Sequence, residues 1–272
     1  MRSTLTLTLT GVLAFVCGCG SDIGVEQPHG GGGLESSPNC PTSPFGGAML
    51  EVAWPSSSTT YCVDKTEVPI GVYAKYVSAG GPSSHDGRCV PFSAELSPPP
   101  AEREDFPVQV SWCQADAFCR ANGKRLCGDR AGHEYDLSTT IEPPDQTPAT
   151  AAELGEWVNA CSGSGAQPFA YGDTFVDGRC EALAPPASRE ECEGGFPGLF
   201  DLAGNLPEHE AGCMFVGESH EVDWVPSWSC ALRLVGPLGC AWGITPVSWA
   251  NPPKTLGGIR CCSDSLPATS QR

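Results

Sequence analysis

The stretch GGIRCC, residues 257–262, places two cysteines side by side near the end of the chain. Adjacent cysteines almost never bond to each other, because the small ring that they would close strains the peptide unit. Successive side chains of an extended strand point to opposite faces. We therefore expect Cys261 and Cys262 to form disulfides with two different parts of the fold, rather than a redox pair or a metal site.

The other cysteines favour a disulfide-bonded exported protein over a metalloprotein. The chain has 16 cysteines in 272 residues. Cys17 and Cys19 lie in a predicted export signal, and setting them aside leaves 14, an even number that predicts up to seven disulfides. Structural metal sites usually contain CxxC pairs, and no such pair occurs after the signal.

Composition and charge restrict the fold and the partners. The chain contains 26 Pro and 33 Gly but only 15 Lys and Arg together, which argues against a helical bundle and favours a loop-rich, cross-linked fold. The formal net charge of −17 excludes binding to nucleic acid or an anionic membrane surface as the main activity. An acidic surface could attract cations such as calcium, or could simply keep an exported protein soluble.

The N-terminus predicts export and lipid attachment. Arg2 precedes an apolar run from Leu5 to Val16 that is too short to span a bilayer and is typical of a secretion signal. The sequence VCGC at residues 16–19 resembles the lipobox of bacterial lipoproteins. This resemblance implies a signal peptide over residues 1–18, lipid on Cys19 and a cell-envelope location, the outer membrane more than the inner one. An ordinary signal peptide cut nearby is the alternative.

Composition predicts the domain boundaries and periodicity predicts three helices. Residues 19–44 are rich in Gly, Ser and Pro and predict a flexible tether, residues 45–263 predict one folded domain, and residues 264–272 predict a disordered tail. Helical spacing of apolar residues occurs over residues 68–80 and 111–126, where Ser111 fits an N-cap and Gly123 a C-terminal stop. Residues 149–161 predict a third helix.

Six blocks of the sequence carry a recognisable series of motifs: YCVDKTEVPIGVYAKYV (61–77), FPVQVSWCQADAFCRANGKRL (106–126), EWVNACSGS (156–164), FAYGDTF (169–175), GLFDLAGNLPEHE (198–210) and GGIRC (257–261). In this order they resemble the signatures of the formylglycine-generating enzyme family, also called sulfatase-modifying factors. That family shows an E-V-T entry helix, P-V-x-x-V-S-W-x-D-A with G-K-R-L, a Y-P-W-G turn, D-x-x-G-N-V-W-E-W and a final G-F-R-C. The resemblance covers residues 50–262.

The resemblance implies a fold and two disulfides. The fold is α+β, the family's variant of the C-type-lectin-like fold, disulfide-rich and low in regular secondary structure. The family's bridges correspond here to Cys119 with Cys261 and to Cys161 with Cys240. We assign the other bridges as local guesses: Cys213 with Cys230, Cys180 with Cys192, and Cys262 with either Cys127 or Cys113, while Cys40, Cys62 and Cys89 are left unassigned.

The resemblance also implies one calcium site. Its ligands would be the Asp201 and Glu208 side chains and the main-chain carbonyls of Gly204 and Leu206, an all-oxygen set that suits a hard cation. A capped acidic turn without an ion is the alternative. Two family tryptophans are replaced by Pro207 and His209, so the packing beside the site must differ. The family's second calcium site is not carried over, because Glu181 stands where it needs Asn.

The catalytic segment of the family is missing. Active members oxidise a substrate cysteine to formylglycine with oxygen and copper(I), which two thiolates hold five residues apart after an R-G-G-S strand; thiolates suit that soft ion. The corresponding stretch here is RLVGPLGCAWG, residues 233–243, in which the bridge cysteine Cys240 follows almost at once. No C-x-x-x-x-C pair occurs there, so we expect no copper.

Three functions fit these observations. The first is a lipid-anchored, non-catalytic binding or scaffold module with an unknown surface ligand, protein or carbohydrate. The second is an oxidoreductase of the same fold, which needs two neighbouring free thiols. The third is a purely structural envelope protein. A metal-binding or general-base role for Glu208, His209 and Glu210 is a weaker alternative to a solvated loop. Stacking on sugars or peptides by the C-terminal tryptophans is a weaker alternative to core packing; they are Trp224, Trp228, Trp242 and Trp249.

Overall fold

The computed structural model describes residues 35–81, 87–89, 103–137, 147–153, 155–219, 225–233, 240, 244–248 and 256–267. Several predictions fall outside these residues: the signal peptide, lipidation of Cys19, the first part of the tether, most of the segment 233–243 and the last five residues. Within the described part of the chain, no helix is both long and apolar enough to cross a bilayer. The fold is α+β, as predicted, and disulfide-rich.

A four-stranded antiparallel sheet joins the two ends of the domain. Its order is β1-β2-β7-β3, with bounds β1 (Met49–Ala53), β2 (Thr60–Asp64), β3 (Arg125–Leu126) and β7 (Cys261–Asp264). The last strand therefore lies between the second and the third, and its register pairs Cys262 with Val63 and Cys261 with Leu126. This central position places Cys261 and Cys262 next to β2 and β3, which come much earlier in the chain.

Two helices form where apolar spacing predicts them. The bounds are α1 (Ile70–Ser78) and α2 (Trp112–Ala121). Ser111 is the N-cap of α2 and forms a capping box with Gln114, in which each side chain hydrogen-bonds the other residue's backbone N–H. Gly123 follows with φ of 69°, a left-handed conformation that glycine adopts without strain and that ends the helix.

The third predicted helix is two short helices, α3 (Pro148–Ala152) and α4 (Glu156–Ser162). Gly155 between them is extended, and its backbone passes so close to Tyr135 that an added Cβ would overlap the phenol oxygen. The Glu156 amide donates to the Gly128 carbonyl rather than into a preceding helical turn. This tertiary contact overrides the local periodicity, and the prediction of one continuous helix is wrong.

A second antiparallel sheet follows in the C-terminal third. Its order is β4-β5-β6, with bounds β4 (Glu208–Ser219), β5 (Val225–Arg233) and β6 (Ile244–Ser248). β4 begins with Glu208, His209 and Glu210, so the strand directs the two carboxylates to one face and the imidazole to the other. The register of β4 with β5 shifts on both sides of the short segment that begins at Cys213.

Cys261 and Cys262 lie in two different apolar clusters. Cys261 packs in the cluster of α1 and α2, with Phe118 and Ile259 among its neighbours. Cys262 packs in the cluster of β1, β2 and α4, which contains Trp157. The opposite directions that the strand predicts for these two side chains are confirmed.

The described residues contain seven disulfides. Cys119 is bonded to Cys261 and Cys161 to Cys240, the two bonds that the resemblance implies. Cys262 is bonded to Cys127 rather than to Cys113. The local guesses Cys180–Cys192 and Cys213–Cys230 are also present. The cysteines left unassigned form Cys40–Cys62 and Cys89–Cys113.

The folded region extends beyond the boundaries predicted for the tether and the tail. The hydroxyls of Ser36 and Ser37 accept hydrogen bonds from backbone N–H groups of β1, and Cys40 is bonded to β2. At the other end, Asp264 belongs to β7 and the Leu266 amide donates to the Asn39 carbonyl. The disulfide at Cys40 anchors a polar segment that composition alone assigns to the tether.

Candidate functional site

The block 198–210 forms a tight turn that leads into β4. Asp201 and Asn205 adopt left-handed backbone conformations, with φ of 61° and 56°. Gly204 lies against the carbonyl of Cys180, where an added Cβ would overlap the oxygen, and the Asn205 amide donates to that same carbonyl. The Asp201 amide donates to the Cys192 carbonyl. The Cys180–Cys192 disulfide therefore supports the turn from outside.

A buried ion pair between Arg260 and Glu208 forms the centre of the site. The Arg260 Nε lies 2.9 and 3.0 Å from the two Glu208 oxygens, and the Arg260 Nη2 lies 2.8 Å from Oε1. Two further N–H groups of Arg260, on Nη1 and Nη2, donate to the carbonyls of Asp64 and Phe200, each at 2.8 Å. The Trp157 indole N–H donates to Glu208 Oε2. Both side chains are buried, and the guanidinium joins β2, the turn and β4.

Two further carboxylates lie near this pair. Glu67 accepts hydrogen bonds from the Asn205 side chain at 2.8 Å and from the Leu206 amide at 3.1 Å. Burial raises its pKa well above the ordinary value, the Glu208 carboxylate raises it further, and Arg260 opposes both effects. Burial also raises the pKa of Asp201, while the hydrogen bond from the Ala187 amide lowers it. Burial thus favours the protonated forms of Glu67 and Asp201.

These residues fit calcium poorly. Asp201 Oδ1 is buried without a hydrogen bond, and Arg189 Nη2 lies 3.8 Å away, so one ligand oxygen is available. Glu208 is not available in the same way, because both of its oxygens already accept N–H groups from Arg260 and Trp157. A calcium ligand needs a free lone pair directed at the ion. The arrangement therefore favours a guanidinium over a calcium ion at Glu208.

A second group of possible metal ligands is already occupied by other bonds. Within the described residues, only Cys127, Glu156 and Cys262 bring three such ligand atoms within 4.8 Å of one another. The two cysteines are bonded to each other, and Glu156 accepts hydrogen bonds from Arg125 at 2.5 and 2.6 Å. This group is part of the structural core and does not offer a metal site.

A second buried ion pair lies two residues further along β4, at Glu210. Arg233 of β5 donates from Nε to Glu210 Oε2 at 2.9 Å, and its Nη2 lies 2.7 Å from the same oxygen. The Tyr135 hydroxyl lies 3.5 Å from Glu210 Oε1. Burial raises the pKa of Glu210 to about 7, although Arg233 opposes the shift. Glu210 therefore titrates near neutral pH inside the protein.

His209 points to the other side of β4 and is buried. Its Nε2 lies 2.8 Å from the Val110 carbonyl oxygen. A Cβ added at Gly257 would come 2.9 Å from that nitrogen, so glycine at this position makes room for the imidazole. The packing difference expected from His209 replacing an aromatic residue is therefore accommodated by the C-terminal block. The three neighbours Glu208, His209 and Glu210 do not form one polar cluster, because the strand directs them alternately.

The cysteines in and nearest the segment 233–243, which corresponds to the catalytic stretch of the resembled family, are both bonded. Cys230 pairs with Cys213 across β4 and β5, and Cys240 pairs with Cys161 of α4. The Cys240 amide donates to the Pro168 carbonyl at 2.7 Å, beside the block 169–175. In that block Phe169 and Tyr171 stack with ring centroids 5.5 Å apart. The residues around Cys240 at 234–239 and 241–243 lie outside the described part of the chain.

Comparisons with known proteins add little. No protein-family model and no curated protein matches the chain. Among solved structures, the chain is similar to CarF, with 18% identity, a TM-score of 0.39 and coverage of 75% of this chain and 86% of that chain. It is also similar to PvdO from Pseudomonas aeruginosa, with 14% identity, a TM-score of 0.39 and coverage of 85% and 97%. At such low TM-scores these similarities carry no argument about fold or function.

Sequence reasoning missed the partner residues that surround Glu208, Glu210 and the turn. Arg260, Glu67 and Trp157 lie within the quoted blocks, yet no local pattern assigns them to Glu208 or to the turn. Arg233 and Tyr135 were not singled out as partners of Glu210 either. Residue type was the one signal that could have indicated them. A charged side chain within an apolar block is expected to be buried, and a buried charge needs a partner.

Replacing Arg260 with Met should lower the free energy of unfolding by roughly 3 to 5 kcal/mol, because Glu208 would stay buried without its partner. Urea unfolding with disulfides intact measures the change. The matched control is Arg103→Met, at an exposed arginine over the Phe106 ring, with an expected change within about 0.5 kcal/mol. Adding Glu208→Gln to Arg260→Met should recover part of the loss. Equal losses for Arg260→Met and Arg103→Met would contradict this account of the site.

Calcium should leave the thermal stability unchanged, because Arg260 and Trp157 occupy the Glu208 oxygens. Differential scanning calorimetry in excess calcium and in EDTA measures the midpoint, since a ligand that binds only the native state raises it. Asp201→Asn is the control variant. A calcium-dependent rise in the midpoint that Asp201→Asn abolishes would show instead that calcium binds at the turn.

Wild-type protein should lose stability relative to Glu210→Gln as the pH rises from about 4 to about 7. The pKa of Glu210 is raised from its ordinary value to about 7 in the folded state, so the folded protein keeps a proton that the unfolded chain releases in this window. The relative loss should be on the order of 3 kcal/mol, since one pKa unit corresponds to about 1.4 kcal/mol. Urea unfolding of both proteins at pH 4.5 and pH 8 tests it, and a constant difference would contradict it.

Proposed function

We propose that this protein is a lipid-anchored cell-envelope protein whose folded domain is a non-catalytic binding or scaffold module. We assign the domain to the sulfatase-modifying-factor variant of the C-type-lectin-like fold, without the catalytic cysteine loop. Six ordered sequence blocks and the α+β, disulfide-rich architecture support this assignment. The partner at the cell surface is a protein or a carbohydrate, since the net charge of −17 disfavours nucleic acid.

The observation that carries the proposal is the state of the cysteines. All 14 cysteines from Cys40 to Cys262 form disulfides, and all of them belong to the described residues. Copper(I) chemistry of the resembled family needs two thiolates, and a bonded sulfur does not provide one. Cys240, the cysteine nearest the segment that would carry the two thiolates, forms the bridge to α4 that the resemblance implies.

The buried charges support a scaffold role as well. Glu208 and Glu210 are each held by an arginine inside the protein, which leaves neither as an accessible base. Disulfides and buried ion pairs fix the core, and loops on such a core tolerate sequence change, which suits a surface that displays or binds a partner.

The enzymatic test offers the protein a cysteine-containing peptide together with copper(I) and oxygen, and follows the peptide by mass spectrometry. No formylglycine product should form above the level without protein. Copper-dependent conversion that the Cys161→Ala/Cys240→Ala variant abolishes would overturn the non-catalytic proposal and support an oxidoreductase. A catalytic member of the resembled family, assayed in parallel, confirms that the conditions allow turnover.

The anchoring test expresses the full chain in a bacterium and follows its lipid and its location. Wild-type protein should incorporate labelled fatty acid and fractionate with membranes, because the proposed cleavage leaves Cys19 at the N-terminus. Cys19→Ser should abolish both, whereas the matched variant Cys17→Ser, two residues earlier, should retain both. Unlabelled wild-type protein in the soluble fraction would contradict lipid anchoring and leave an ordinary signal peptide.

A further inference from the structure

One disulfide differs from the others in its exposure to solvent. Thirteen of the 14 bonded cysteines are buried, and Cys213 alone is partly exposed. Its partner Cys230 is buried and packs in the apolar cluster of α1 and α2. A thiolate can attack a disulfide only at a sulfur that it can reach, and exposed disulfides are the labile ones. Of the seven bonds, Cys213–Cys230 is therefore the one with a residue in contact with solvent, so an attacking thiol would approach it from the Cys213 side.

The position of this bond makes its cleavage compatible with a folded domain. Cys213 of β4 and Cys230 of β5 lie directly opposite each other, with a Cα–Cα distance of 4.0 Å and a sequence separation of 17. The two strands remain paired on both sides of the bond, from Glu208 with Arg233 to Ser219 with Val225. Backbone hydrogen bonds would keep the two thiols adjacent after reduction and ready to bond again.

The bonds that close long loops have the opposite character. Cys119–Cys261 and Cys127–Cys262 span 142 and 135 residues, and all four sulfurs are buried in the two apolar clusters. Loops of this length are where a disulfide restricts the unfolded chain most. These bridges hold the domain together, whereas Cys213–Cys230 joins two strands that already form a ladder.

We propose that Cys213–Cys230 is a thiol–disulfide exchange site that accepts electrons from an exported dithiol protein. A thiolate of the donor attacks Cys213 Sγ, so that a mixed disulfide forms and the bond to Cys230 breaks. Cys230 leaves as a thiolate and takes up a proton. The second donor thiol then attacks the mixed disulfide, which leaves Cys213 and Cys230 as thiols and the donor as a disulfide. The reverse reaction restores the bond.

This exchange stands apart from the function proposed above. It requires no copper, no oxygen and no surface ligand, and it uses a cysteine pair outside the segment that corresponds to the family's catalytic loop. A failure of the lipid anchor or of the non-catalytic assignment would leave it untouched.

The first test treats the native protein with dithiothreitol over a range of times, blocks new thiols with an alkylating reagent and maps the labelled peptides. Cys213 and Cys230 should be labelled about tenfold faster, or more, than Cys180 and Cys192. Cys180–Cys192 is the matched control, because it also closes a short loop, with a separation of 12, but both of its cysteines are buried. Equal labelling rates, or faster labelling of any other pair, would overturn the proposal.

A trapping experiment tests the direction of attack. A thioredoxin-type dithiol protein that lacks its second cysteine should form a mixed disulfide with this protein, and peptide mapping should place the link on Cys213. The Cys213→Ala/Cys230→Ala variant should form no mixed disulfide while still unfolding cooperatively, whereas Cys180→Ala/Cys192→Ala should trap normally. A link on Cys230, links spread over several cysteines, or no link with folded wild-type protein would each contradict the exchange site.

Discussion

The ion pair between Arg260 and Glu208 is the interaction on which the arrangement of the domain depends. It joins the C-terminal block to the start of β4, and the same guanidinium binds carbonyls at the end of β2 and in the turn that precedes Glu208. Burying two charges costs several kcal/mol per ion, which only close geometry and additional hydrogen bonds offset. The Trp157 indole supplies one of those bonds, so α4 is fixed to the same centre.

The two residues after Arg260 connect further parts of the domain, through disulfides rather than through charge. Cys261 and Cys262 connect β7 to α2 and to the residue that follows β3, on opposite faces of the sheet. A single hexapeptide thus binds five earlier segments of the chain: β2, α2, the residue after β3, the turn and β4. Such connections restrict the unfolded chain and so stabilise the core against its conformational entropy.

Local features of the sequence were predictable, and distant partners were not. The capping box at Ser111, the end of α2 near Gly123 and the divergence of Cys261 and Cys262 follow from propensity, backbone conformation and strand geometry. The break before Gly155 depends on Tyr135, twenty residues away, and the expected calcium ligand Glu208 is taken by an arginine from the far end of the chain. Neither contact leaves a periodic signal, because each is set by packing across the fold.

A non-catalytic scaffold has all of its cysteines in disulfides, whereas a copper enzyme of the resembled family needs two free thiols. A map of free and bonded cysteines therefore tests the central claim, that the domain is non-catalytic, most directly. Protein from an oxidising compartment would be alkylated in denaturant without reductant, digested, and compared by mass spectrometry with a reduced sample. The account predicts no label on any cysteine from Cys40 to Cys262 and peptides linked as Cys119–Cys261, Cys127–Cys262 and Cys161–Cys240. Labelled cysteines that belong to two different disulfides, such as Cys230 and Cys240, would contradict it.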